Sequence, residues 1–300
     1  MTITKRSFLK LSTAAVASIS VGKTVSASPL INTDNNASSA KNKTLINIAN
    51  SVTGITVKER IARIAKAQQL MKQHNISAMV IEPGATMDYF SGIQWWRSER
   101  LTALIIPQEG AVAVICPFFE EPSIRETLSV GDDVRVWQEH ENPFERIKQV
   151  LTDRNIKNGN IAFEHSVRYF VLQGTMSLLP AMKDVSADVI TRGCRMIKST
   201  HELQLMHKAN EITLNAYAHV WSNLSLGMTQ ADVKALMQSA QATLGGSGIW
   251  NMALFNQASA YPHGTKQKQT LTEGSVVLMD CGCSVHGYQS DISRTFVFGE

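Results

Sequence analysis

The chain has 300 residues, of which 44% are hydrophobic, and this length suits about two globular domains at roughly 150 residues each. The formal net charge is +4, but the basic residues are scattered, so the sequence gives no indication of a nucleic-acid-binding surface. Four cysteines are too few for a disulfide scaffold. We expect Cys281 and Cys283 to be buried small hydrophobes, because C-x-C is tighter than the usual zinc spacing.

The amino-terminal 27 residues are typical of an export signal. A charged segment ends at Lys10, an apolar run too short to span a bilayer follows, and Val25-Ser26-Ala27 supplies small residues for cleavage. The segment resembles a twin-arginine signal with Lys5 in place of the first arginine, and the alternative is a Sec signal or a lipid-proximal anchor. We predict an exported, periplasmic protein with a signal peptide at 1–27 and a Ser- and Asn-rich linker at 28–54.

Residues 55–190 alternate between strand and helix patterns, which predicts an α/β layer domain. Thr56 and Glu59 form a capping box at the start of an amphipathic helix. Further helices are predicted after Asn142-Pro143 and over about 167–179. The predicted strands are Ala78–Ile81, Leu101–Pro107, Ala111–Cys116, Val134–Trp137 and Asn160–Glu164.

Two tryptophans beside two arginines stand out in this domain. Trp95 and Trp96 precede Arg97 and Arg100, and both residue types are common anchors in binding interfaces. They either line a cleft wall or represent the packing of a strand end next to a surface ion pair.

Residues 191–300 are predicted to form a second domain. A long helix follows Ser199, a second helix starts near Thr229, and a strand covers Ile249–Phe255. His263 then lies in a loop between Pro and Gly, directly before a hairpin that carries two aspartates. This position makes His263 a candidate functional residue, with an ordinary loop histidine as the alternative.

The hairpin aspartates are the most informative feature of the chain. Asp280 and Asp291 lie in two strand-like segments joined by a Gly-containing connection. Folding the hairpin about the Val285–His286 step places the two carboxylates opposite each other, roughly 5 Å apart, where like charges destabilise the pair. A buried carboxylate pair shares a proton, shifts its pKa values or binds a cation, so we predict metal binding. The alternative is a solvated hairpin with the aspartates on different faces.

Several motifs together resemble the pita-bread metallopeptidases, which include Xaa-Pro aminopeptidases, prolidases and methionine aminopeptidases. The resemblance covers about residues 55–300 and implies a creatinase-type, RNase H-like α/β amino-terminal domain and an incomplete α+β pita-bread domain. The matching segments are Met87–Gly92, Ser98–Leu101, Arg195–Lys198 with Glu202, His263-Gly264, Asp280-x-Gly282 and Gly287–Phe296.

The resemblance implies a site with two divalent metal ions, Mn²⁺ first and Co²⁺ or Zn²⁺ as alternatives. Asp280 and Asp291 would be ligands, with Asp291 bridging both metals, and His263 would be the substrate-side catalytic histidine. The remaining ligands of the family, one His and two Glu, have no counterpart by position in this sequence. We therefore expect a fragment that by itself neither binds two metals tightly nor hydrolyses peptides.

The implied function of the intact protein is metal-dependent removal of the amino-terminal residue from Xaa-Pro peptides. The implied partners are a peptide substrate and further copies of the chain in a homo-oligomer, with no nucleic acid and no membrane span after processing. The amino-terminal domain favours an Xaa-Pro aminopeptidase or prolidase over a methionine aminopeptidase. Two alternatives stay open: a lyase or amidinohydrolase on the same fold, and a binding protein that has lost its chemistry.

Overall fold

The computed structural model describes residues 44–299. The predicted signal peptide at 1–27 and most of the predicted linker at 28–54 lie outside the described residues. Among the helices of the described part, none combines the length and the apolar character that a membrane crossing requires.

The first sheet is mixed and has six strands. They are β1 (Ile76–Ile81), β2 (Ala103–Pro107), β3 (Ala113–Pro117), β4 (Asp133–Trp137), β5 (Gly159–Phe163) and β6 (Met182–Ser186). Their order across the sheet is β4-β3-β2-β1-β5-β6. β1 pairs antiparallel with β2 and parallel with β5, so it lies at the centre of the sheet.

Helices cover both faces of this sheet. They are α1 (Val57–Gln73), α2 (Ala85–Ser91), α3 (Glu121–Thr127), α4 (Phe144–Asp153), α5 (Tyr169–Ser177) and α6 (Asp188–Arg195). Met79 and Ile81 of β1 pack with α1, α2, α3 and α6, whereas Ala78 and Val80 pack with α4 and α5. A strand buried on both faces reads as a continuous apolar run, which is why the sequence predicted it without alternation.

Local sequence signals fix some element boundaries and miss others. The predicted capping box is present, because the Thr56 side chain accepts a hydrogen bond from the Glu59 amide and the Glu59 carboxylate accepts one from the Thr56 amide. Four elements, α2, α3, α6 and β6, are not predicted from the sequence. Gly84 precedes α2 without a side-chain cap, and β6 is an edge strand with mostly exposed residues, so neither has a strong local signal.

The second sheet has a central strand, β8 (Val276–Val285), between β7 (Ser247–Phe255) and β10 (Ile292–Val297). The short strand β9 (Tyr288–Gln289) continues the hairpin from β8. Two helices, α7 (Thr200–Asn223) and α8 (Gln230–Thr243), pack on one face. Capping boxes begin both helices, one between Ser199 and Glu202 and one between Thr229 and Asp232.

Alternation along β8 separates a buried face from an open one. Val277, Met279, Cys281 and Cys283 are fully buried against α7 and α8. Because successive strand residues point to opposite faces, Asp280 lies on the other side of the sheet.

Candidate functional site

The hairpin turns at His286 and Gly287. Both residues have positive φ, 47° and 85°, which is the backbone of a two-residue type I′ turn. Val285 and Tyr288 pair on either side of it. The predicted fold about the Val285–His286 step is therefore wrong by one position, because Gly287 takes the second of the two left-handed positions that this turn requires.

The turn position changes the partner of the first aspartate. Asp280 pairs with Ser293, and the Ser293 hydroxyl donates a hydrogen bond to the Asp280 carboxylate at 2.6 Å. The predicted direct opposition of Asp280 and Asp291 is therefore wrong. The residue opposite Asp280 is therefore Ser293 and not Asp291, a shift of two positions. Because strand side chains alternate between faces, Asp291 and Ser293 lie on the same face. The two aspartates are diagonal neighbours, a relationship that separates residues by about 7–8 Å.

Tyr217 holds both strands next to the two aspartates. Its hydroxyl lies 2.7 Å from the carbonyl oxygen of Ile292 and 3.1 Å from that of Met279. Met279 precedes Asp280, and Ile292 follows Asp291. Burial raises the pKa of Tyr217, so the phenol keeps its proton as a donor at neutral pH.

A second buried contact, between hydroxyls of Thr213 and Ser290, fixes the main chain next to Asp291. Thr213 lies on α7 one helical turn before Tyr217. Thr213 and Ser290 share a hydrogen bond of 2.7 Å, and the Ser290 hydroxyl accepts the Cys283 amide at 2.9 Å. Gln241 donates to the Thr213 hydroxyl at 3.2 Å. Ser290 directly precedes Asp291, so these bonds fix the main chain next to Asp291, just before β10 begins.

Gly282 is required where the hairpin strands approach each other. A Cβ at this position would overlap the carbonyl oxygen of Ser290 and lie 2.5 Å from Nε1 of Trp250. No side chain fits there without moving backbone, so the glycine is a packing requirement of the hairpin.

The face that carries Asp280 is open among the described residues. Trp250, Val276 and Val297 remain 37%, 38% and 52% exposed on or beside it. Asp280 is half-buried and Asp291 is exposed, so solvent reaches both carboxylates.

The described residues do not assemble a complete metal site. They contain no group of three or more His, Cys, Asp or Glu side chains that could hold a metal ion. His263 is exposed in its loop and forms no hydrogen bond or ion pair with any described residue. Two carboxylates on one face supply oxygen ligands, but they do not make a complete set of metal ligands. The predicted roles of Asp280, Asp291 and His263 therefore stay predictions.

The cysteines near the hairpin lie in the core of the second domain, on the face of β8 opposite to Asp280. Cys281 and Cys283 are both buried and free, as the sequence predicted. Burial raises the pKa of the Cys281 thiol to about 11, so it is protonated at neutral pH and does not act as a thiolate.

A buried ion pair links α7 to α1, the hairpin residue Tyr288 bonds to both of its members, and local sequence patterns do not predict it. Arg63 and Glu202 lie 3.2 Å apart with side chains only 9% and 6% exposed. The Tyr288 hydroxyl donates to Glu202 at 2.9 Å and accepts from Arg63 at 2.8 Å. The only sequence signal was Glu202 in the matched motif, because nothing local identifies a buried arginine on an amphipathic helix.

The tryptophan and arginine segment shows features of both interpretations. Trp95 and Trp96 stack with ring centroids 4.5 Å apart, and Trp96 remains 68% exposed. Arg100 pairs with Glu139 at 2.6 Å, which is the surface ion pair of the simpler interpretation. The exposed Trp96 ring suits a cleft wall, but none of these contacts forms a second wall across from it.

Comparison with known families agrees with this architecture. Residues 204–300 match the family model of metallopeptidase family M24. Residues 63–197 match the model of the creatinase/prolidase N-terminal domain. The chain therefore combines a creatinase/prolidase N-terminal domain with a segment of metallopeptidase family M24, and the family and fold class predicted from the sequence are confirmed.

Individual relatives give the same result. An uncharacterized peptidase of Schizosaccharomyces pombe is 30% identical over 267 residues, covering 84% of this chain and 57% of that protein. A putative dipeptidase of Bacillus subtilis, YkvY, is 28% identical, covering 79% of this chain and 66% of its own length. The crystal structure of dipeptidase PepE from Mycobacterium ulcerans superposes with a TM-score of 0.73 at 26% identity, covering 83% and 67% of the two chains. The chain thus spans between just over half and two-thirds of the length of these relatives.

Proposed function

We propose that the intact protein is a metal-dependent exopeptidase that removes the amino-terminal residue from peptides with proline in second position. The observation that carries the proposal is the placement of Asp280 and Asp291 on the open face of one hairpin within the M24 segment. The creatinase/prolidase N-terminal domain and the dipeptidase names of relatives support a dipeptidase or prolidase type.

The proposed cofactor is a pair of divalent metal ions, with Mn²⁺ first and Co²⁺ or Zn²⁺ as alternatives. Carboxylate oxygens suit these ions, and geometry selects among them. Asp280 and Asp291 would contribute two of the ligands, and residues 44–299 contain no group of three or more His, Cys, Asp or Glu side chains that could hold a metal ion. When bound, such metals act as Lewis acids on a peptide carbonyl.

The remaining parts of the proposal concern His263 and the location of the protein. His263 lies on an exposed loop and has free ring nitrogens toward solvent, so it is available to hydrogen-bond a peptide near the bond that breaks. The charged and apolar pattern at residues 1–27 supports export to the periplasm.

The direct test is hydrolysis by the purified intact protein of two dipeptides, Ala-Pro and Ala-Ala, with Mn²⁺ and after chelation. We expect release of free proline from Ala-Pro, weaker cleavage of Ala-Ala, and loss of both after chelation. Equal cleavage with and without chelator would favour a metal-independent enzyme on the same fold. Absence of any cleavage with Mn²⁺, Co²⁺ or Zn²⁺ would favour a binding protein and contradict the proposal.

A further inference from the structure

A cavity of about 680 Å³ lies between α1, α2, α6, the start of α7 and the β8–β9 turn. Residues of both domains line it, with Asp88 and Arg195 from the first domain and His286 and Tyr288 from the second. Asp280 and Asp291 are not among the lining residues. The size is that of a small-molecule site.

The acidic side chains of this cavity are already paired. Asp88 binds Arg60 at 3.1 Å, and Glu202 binds Arg63 at 3.2 Å. These two pairs neutralise most of the negative charge that faces the cavity. The third acid, Asp188, lies 3.8 Å from the imidazole of His165.

Three cationic side chains that line the cavity have no acidic partner. Arg192, Arg195 and Lys198 line the cavity, and none forms an ion pair with a described carboxylate. Arg195 instead donates to the Thr86 hydroxyl at 2.7 Å, and Lys198 donates to the Arg195 carbonyl at 2.7 Å. The partners of Arg195 and Lys198 are neutral, and Arg192 and Lys198 are exposed to solvent, so no carboxylate of the described residues compensates the positive charge of this wall.

Apolar side chains form another part of the wall. Tyr89, Met196 and Met206 line the cavity beside the cations, and the Arg195 guanidinium lies 5.9 Å from the centre of the Tyr89 ring. Met196 is 64% exposed, which is high for a large apolar side chain. A ligand that covers it gains apolar burial as well as charge pairing.

We propose that this cavity binds a small organic anion, one that carries a carboxylate or phosphate group on an apolar body. Arg192, Arg195 and Lys198 hold the oxyanion, because guanidinium groups bind carboxylate and phosphate oxygens in a bidentate geometry. The apolar body lies against Tyr89, Met196 and Met206. This inference does not depend on the proposed peptidase activity.

Occupation of the cavity has a consequence for the hairpin. Residues 286–289 line the cavity and connect the strand of Asp280 to the segment of Asp291. A bound anion would contact the amino-terminal domain and this turn together, and so restrain the turn from one side.

The test is calorimetric titration of the full chain at constant ionic strength with four probes. Phenyl phosphate and 3-phenylpropionate carry an apolar body, whereas inorganic phosphate and acetate do not. The double variant R192Q/R195Q removes the cationic wall, and R125Q is the matched control, since Arg125 lies on α3 outside the cavity and pairs with Glu121. R195K keeps the charge while changing the geometry.

We expect wild type and R125Q to bind one or both aromatic anions with a Kd of about 1 mM or tighter. R192Q/R195Q should bind at least about tenfold more weakly, with R195K between the two. The two aromatic probes distinguish a phosphate from a carboxylate ligand. Equal binding by R192Q/R195Q, no binding by either aromatic anion, or equal binding of inorganic and aromatic phosphate would each overturn the proposal. Unchanged circular dichroism of each variant shows that it is folded.

Discussion

Tyr217 donates its hydroxyl to the carbonyl oxygen of Ile292 at 2.7 Å, and the carbonyl of Met279 lies 3.1 Å from the same oxygen. One side chain of α7 thus fixes the two strands at the residues adjoining Asp280 and Asp291. The pair of carboxylates keeps its diagonal arrangement because a helix on the buried face determines where both strands run.

Removal of this hydroxyl is expected to destabilise the protein. Y217F removes a hydrogen bond to carbonyl oxygens of the β8–β10 ladder, which costs about 0.5–1.5 kcal/mol in the free energy of unfolding. Urea denaturation of the full chain measures the difference. Y261F is the control, because Tyr261 is 51% exposed and its hydroxyl bonds to no described residue. Equal stability of Y217F and Y261F would show that the hydroxyl does not hold the strands.

A methyl group at Gly282 is expected to be more damaging. The added Cβ of G282A overlaps the Ser290 backbone, so the strands must separate, at about 3 kcal/mol or more. G110A is the comparison, because Gly110 has open space around it and its φ of 89° adds only backbone strain. Thermal denaturation of both variants separates overlap from strain, and a smaller loss for G282A than for G110A would contradict the packing argument.

Stability should also depend on pH through a contact between α7 and α1. His201 lies 2.8 Å from Glu59, and the hydrogen bond to Glu59 raises the pKa of His201. A raised folded-state pKa means that this contribution is full below the unfolded pKa of about 6.5 and is lost as the pH rises through the folded value. Urea denaturation between pH 5 and 9 should therefore show a falling stability that H201Q abolishes. The control is H74Q, at an exposed histidine.

Glu59, the acidic partner of His201, gives the free energy of unfolding the opposite dependence on pH. Burial acts to raise the pKa of Glu59, but hydrogen bonds from Thr56 and His201 outweigh it and lower the pKa to about 2. Stability from Glu59 is therefore present above its unfolded pKa and lost as the pH falls toward 2. E59Q should flatten the acid limb of the profile. An unchanged acid limb in E59Q would show that other carboxylates produce it.

The hydroxyl beside Asp280 is expected to tune metal affinity in the intact protein. Ser293 donates to the Asp280 carboxylate at 2.6 Å, and partners that orient a ligand typically contribute 10–100-fold in metal affinity. S293A should therefore bind Mn²⁺ about tenfold more weakly. T295A is the matched control on the same strand, two residues further along β10. Equal Mn²⁺ affinities of the two variants would exclude this orienting role.

Short-range signals explain what the sequence predicted well. The capping box predicted at Thr56 and the helix start predicted near Thr229 depend on residues close together in the chain, and both are present. The β1 strand was recognised because it is buried on both faces and so reads as an uninterrupted apolar run. The two aspartates were recognised from their own motif.

Longer-range features were out of reach. The hairpin register depends on which two residues adopt positive φ, and a shift of one turn position moved the partner of Asp280 from Asp291 to Ser293. The Arg63–Glu202 pair joins residues far apart in the chain, and its members are buried only because the two domains meet there. No local pattern encodes either fact.

The central claim is that Asp280 and Asp291 are ligands of one metal site, and Mn²⁺ titration of the intact protein tests it most directly. D291A and the isosteric D291N are compared with D132A, since Asp132 is exposed on a loop of the other domain. We predict that D132A binds Mn²⁺ as wild type does, whereas both Asp291 variants lose affinity by more than about a hundredfold. Mn²⁺ binding by D291A and D291N as tight as that of D132A would contradict the claim.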